Sequence, residues 1–126
     1  MINADVRLSL LDRSRTRSGE TDGAALRGTV ARATRAEQLG YHRFWVAEHH
    51  GVPGIAGAAP APLLTAVAGA TTVIRLGSAG VMLPHHQPLV VADIARQVGD
   101  GEQRIVGVMI ESNLVAGRQD VLPARR

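Results

Sequence analysis

Cysteine and lysine are both absent from this chain of 126 residues, and only three side chains are aromatic: Tyr41, Phe44 and Trp45. Without cysteine there is no disulfide, no thiolate metal site and no sulfur nucleophile, which fits a cytoplasmic protein. Every basic residue is an arginine, spread along the chain with no basic run interleaved with aromatics. A surface that tracks nucleic-acid phosphates is therefore not expected. No apolar run approaches the ~20 residues needed to cross a bilayer. Residues 1–5 lack the charged-then-apolar order of a secretion signal, so neither membrane nor export is expected.

What the chain does have is alternation. With 45% apolar residues it can form a packed core, built mostly from alanine, valine and leucine. Residues 6–11 read as a first strand, and Arg13 to Gly23 as a polar loop. Asp22 is placed to cap a helix of about 16 residues that ends at Gly40. A second strand runs to Glu48. Pro60 and Pro62 open a second helix. Residues 73–83 form a third strand, whose glycines suggest a bulge or a close backbone approach. A third helix starts at Pro88 and runs to Val98, and residues 104–110 form a fourth strand ending at Glu111. This β-α-β-α-β-α-β order implies α/β architecture with parallel strands, each buried on both faces. Asp12-Arg13-Ser14 in the first loop is not the glycine fingerprint of a dinucleotide fold. A partial TIM-type (β/α)8 barrel, about four parallel strands with three crossover helices, is therefore preferred to an open doubly wound sheet. A complete barrel takes about 250 residues.

Residues 41–50, YHRFWVAEHH, hold all three aromatics and end on Glu48-His49-His50. Gly51, Pro53, Gly54 and Gly57 stop the strand there. Chemistry in parallel α/β folds collects at the carboxyl ends of strands. His49 is thus either a hydrogen-bonding or proton-transfer group or a loop imidazole that closes the strand. Glu48 pairs with an arginine or caps the turn. His85-His86 follows the third strand to the same end, either as a solvated turn or as part of a metal-holding rim with His49, His50 and Glu111. Arg13, Arg15 and Arg17 either meet an anionic cofactor or substrate or form a solvated loop.

From about residue 6 to 92 the chain resembles the bacterial luciferase-like family of flavin- or deazaflavin-dependent monooxygenases and oxidoreductases. The resemblance rests on Leu8-Ser9-Leu10-Leu11-Asp12, on Ala36 to Gly40, on Tyr41 to His50, on Pro53 to Ala56 and on Ile74 to His86. It implies the amino-terminal half of a TIM-type barrel acting on a small-molecule substrate. It also implies FMN or a deazaflavin as cofactor, and His49 as the catalytic residue near the flavin's reactive face. Glu48, His50, Ala79 and Gly80 are then cofactor-binding candidates, with a non-proline cis peptide at Ala79-Gly80.

Beyond Ala92 the sequence is similar instead to a late segment of class I 3-deoxy-7-phosphoheptulonate synthase, over about residues 92–120. That resemblance implies Glu111 as a divalent-metal ligand, although the cysteine and the Ser-His run that complete the synthase's site are absent. The expected organisation is therefore a hybrid: residues 1–92 from a luciferase-like barrel and 93–126 from a synthase-like tail. Such a truncated chain is expected to bind flavin weakly and to be impaired or inactive. The alternatives are a synthase remnant and a non-catalytic hybrid fragment. Its open sheet edges favour a homodimer or aggregation.

Overall fold

The computed structural model describes residues 6–99 and 105–111. Four parallel strands lie side by side in sequence order: β1 (Ser9–Asp12), β2 (Arg43–Val46), β3 (Arg75–Met82) and β4 (Ile105–Glu111). Helices α1 (Asp22–Gln38), α2 (Pro60–Ala70) and α3 (Pro88–Gly99) connect them. This is the expected α/β wall of a partial TIM-type barrel, and the join expected near Ala92 falls inside α3.

One face of the sheet carries the core. Phe44 and Leu76 lie in one register row with Leu10 and pack with Val46 and Ile74 against Ala33 and Ala36 of α1 and Leu63, Leu64 and Val67 of α2. The other face, expected to be buried, is open at its first strand, where Leu11 is 53% exposed. Helices α1 and α2 pack on the core face, and in a closed barrel the opposite side is the interior.

Element ends differ from expectation for identifiable reasons. The cap of α1 is Thr21, whose hydroxyl accepts from the Ala24 N–H at 3.2 Å, and Asp22 becomes the first helical residue. There its charge still favours the positive end of the helix. Strand β3 begins at Arg75 rather than Val73 because the N–H groups of Thr72, Val73 and Ile74 donate to the Glu37 carboxylate instead of a strand ladder. It stops at Met82, after which Leu83–His85 form a 3-10 turn. The bulge foreseen at the glycines is present: the β3–β4 register shifts between Leu76 and Gly77 and again between Ala79 and Val81.

Candidate active site

The strands deliver their last residues to one rim, and two loops are fastened together there. Gly51 and Gly54 take left-handed conformations, φ 63° and 80°, which lets the loop after β2 double back. The His49 N–H donates to the Gly57 carbonyl at 2.8 Å, and the Ala56 N–H to the Ser14 carbonyl at 2.9 Å. Gly57 itself sits so close that a Cβ would come 3.2 Å from the Arg13 carbonyl oxygen. Beneath them, Asp12 closes β1 as a buried carboxylate. It accepts from the Ser14 N–H at 2.7 Å, from the Thr29 hydroxyl at 3.2 Å and from Nε and Nη2 along one edge of the Arg32 guanidinium. Burial alone pushes the Asp12 carboxyl up, and Arg32, the Ser14 N–H and Thr29 together outweigh it, leaving it below its ordinary value.

Glu48 is buried with no side-chain exposure. Its expected arginine partner is replaced by two imidazoles. His50 Nε2 lies 2.6 Å and His86 Nε2 2.7 Å from the same oxygen, Oε1, while the Met82 N–H donates to Oε2 at 2.9 Å. Burial raises the Glu48 pKa, but His50, the Met82 N–H and His86 more than reverse this and hold it below the usual carboxylate range. The His85 ring rests against His50, centroids 4.9 Å apart. His49 differs from the other three rim imidazoles. Its half-buried side chain has no hydrogen bond, ion pair or ring contact among the described residues.

The open face below the rim carries an apolar row. Leu11, Trp45 and Gly77 are register partners across three strands, and Gly107 continues the row. Two of those four positions have no side chain. Above this row the Ala79–Gly80 peptide is cis, as the family resemblance implies. An exposed leucine and a half-buried tryptophan beside two glycines make an apolar row suited to a flat aromatic ring system.

Other sequence candidates fall elsewhere. Arg13, Arg15 and Arg17 are exposed, and Arg15 forms an isolated bridge with Ile55. Glu111 closes β4 opposite Met82, but its side chain is outside the described residues. Among the described residues no three His, Asp or Glu side chains are grouped to hold a metal. The Asp12–Thr29–Arg32 network went unread in the sequence, although the acidic residue ending β1 parallels Glu48, two residues past the end of β2. A cavity of about 530 Å³ lies at the opposite end of the sheet, lined by Arg7, Tyr41, His42 and Arg75 among others. There His42 is held below its ordinary pKa by burial and by Arg43, Arg7 and Arg75.

A profile described as luciferase-like monooxygenase matches residues 6–97. The N-acetyl-S-alkylcysteine monooxygenase of Bacillus subtilis is 52% identical over 88 residues, which is 70% of this chain and 26% of that protein. A luciferase-like monooxygenase of Escherichia coli K12 is 44% identical over 93 residues, 74% of this chain and 28% of that one. The chain thus spans about a quarter of the length of these curated relatives. Among solved structures, apo-MsnO8 superposes with a TM-score of 0.80 at 37% identity, covering 88% of this chain and 34% of that one. The oxygenating constituent of 3,6-diketocamphane monooxygenase from Pseudomonas putida, in complex with FMN, matches with a TM-score of 0.75 over 86% of this chain and 30% of its own. At 20% identity that likeness concerns the fold alone. The family match continues past Ala92, and no comparison supports the synthase resemblance of the tail.

Proposed function

Because the chain belongs to the luciferase-like monooxygenase family, we propose that its sheet is one wall of a flavin site in an oxidoreductase, with His49 as the side chain that meets the cofactor. The observation that carries this is the division of labour at the rim. His50 and His86 are tied to Glu48 and His85 rests on His50, whereas His49 keeps both ring nitrogens unengaged. An imidazole in that condition can donate or accept a hydrogen bond, or move a proton.

The residues present fit a flavin. The row Leu11–Trp45–Gly77 offers an apolar floor, and the Ala79–Gly80 backbone lets a planar ring approach without a large side chain between. A bound flavin supplies the redox chemistry, and the protein supplies orientation and exclusion of water. FMN is the member of the class favoured here, since a neighbour of the same fold carries it. His49 would hold one hydrogen bond to the ring system. Glu48, with both oxygens bonded within the protein, supports the rim, and His50, whose ring is exposed, stays a candidate for contact with the cofactor.

With four strands and an open inner face, the described wall surrounds only part of such a ring. Affinity for FMN is therefore expected to be weak, with Kd on the order of 10⁻⁴ M. Titration followed by flavin fluorescence tests this, with His49→Ala expected to weaken binding ~3–10-fold, as for one lost hydrogen bond. No saturable change with FMN or a deazaflavin would overturn the flavin reading. Micromolar or tighter affinity would overturn the claim of a partial grip.

A further inference from the structure

The geometry points to Glu48 as a positioning residue: a buried clasp that joins the ends of β2 and β3 through His50, His86 and the Met82 N–H, and so holds His49 at the rim. Its consequence for cofactor binding rests on the flavin reading above. The clasp itself is a property of the protein alone.

The argument begins with the inventory of donors. An ionised carboxylate can only accept hydrogen bonds. Its Oε1 has His50 Nε2 at 2.6 Å and His86 Nε2 at 2.7 Å, so each ring must present its proton at Nε2. A neutral ring then carries its lone pair on Nδ1. The second oxygen accepts the Met82 N–H at 2.9 Å, the last backbone donor of β3. Three donors from two chain segments more than thirty residues apart thus converge on one side chain with no solvent exposure. A buried carboxylate is costly unless its oxygens find donors, and these three donors supply them.

The sequence pattern gains a meaning from this. The rim has two His-His pairs, 49–50 and 85–86. The second member of each pair is bonded to Glu48; the first is not. His49 lies between Glu48 and His50, which are joined to each other, and its own N–H is fixed to the Gly57 carbonyl at 2.8 Å. Its backbone is therefore set on both sides while its ring is left unengaged. Glu48 acts on His49 through these neighbours and not by contact with any reacting atom.

Nitrogen-15 and proton NMR of the full chain with labelled histidine, recorded without flavin, tests the clasp. Imidazole N–H protons in water exchange too fast to be seen unless they are held in a hydrogen bond. Two downfield, protected Hε2 resonances are expected, assigned to His50 and His86, and none from His49. Glu48→Gln keeps the size but offers one acceptor oxygen and a donor amide, so it should lose at least one of the two signals. If that variant does not fold, His86→Ala serves: the His86 signal disappears and that of His50 stays. Absence of both signals in the wild type, or their survival in a folded Glu48→Gln, would overturn the clasp. In the same samples Glu48→Gln should weaken FMN binding ~3–10-fold through the loosened rim, and an unchanged affinity with the signals lost would overturn the claim that Glu48 positions His49. Protected signals in a protein that binds no flavin would leave the clasp standing and remove only the reading of function.

Discussion

Replacing Glu37 by glutamine isolates one device that holds the α1 end to the start of β3. The Glu37 carboxylate accepts from the N–H groups of Thr72 at 2.9 Å, Val73 at 2.6 Å and Ile74 at 2.7 Å, and from the Thr72 hydroxyl at 3.1 Å. Burial raises its pKa, but these donors prevail and lower it from 4.5 to about 2. At about 1.36 kcal/mol per pKa unit, that difference corresponds to an upper limit of ~3 kcal/mol. The neighbouring Thr72 and Val73 are exposed, and solvent screening reduces the figure to ~1–2 kcal/mol. The sign follows from linkage. The folded-state pKa is the lower one, so the contribution is complete above pH 4.5 and is lost as pH falls toward 2. Urea unfolding, followed by the fluorescence of Trp45, the sole tryptophan, measures it. Glu37→Gln should be less stable than wild type by ~1–2 kcal/mol at pH 7, and the gap should shrink by roughly half or more at about pH 3. A variant as stable as wild type at pH 7, or a gap that survives undiminished in acid, would refute the reasoning.

Two further substitutions probe the loops that carry the rim. Asp12→Asn sets an amide against the Arg32 guanidinium and should cost ~1–2 kcal/mol, read by the same unfolding assay; conversion of Arg32 to Met in that background should then cost little more, since the pair is already broken. Gly57→Ala pushes a methyl group toward two backbone oxygens, at 3.2 Å from Arg13 and 3.4 Å from Ala47, neither of which can rotate away. A loss of ~1–3 kcal/mol is expected, with the Ala56 and His49 amides exchanging faster with solvent.

Much of the architecture was legible because apolar runs and breakers alternate in the sequence. Pro60 and Pro88 start helices where they stand, Gly40 ends α1, and Phe44 and Val46 alternate into the core as a short strand should. Strand limits were less legible, because tertiary bonds decide them. Nothing local to residues 72–74 signals that a glutamate 35 residues earlier in the chain will take their N–H groups. The rim was found from Glu48-His49-His50 and from His85-His86, yet the partners were not. Adjacent residues in sequence reveal which groups reach a strand end, but which pairs meet depends on the register of β2 against β3. For the same reason Asp12, read as the start of the first loop, was not seen to end β1, and its bond to Arg32, one turn beyond Thr29 on α1, was not legible.

The central claim is that a flavin meets this chain at the carboxyl rim of its sheet, beside His49. Amide and imidazole chemical shifts recorded while FMN is added locate the contact directly. The account predicts that the His49 ring and the amides of Gly77, Ala79 and Gly80 shift together, while Arg7, His42 and Arg75 at the far end of the strands stay fixed. Shifts confined to that far end, or none at the rim at saturating FMN, would contradict it.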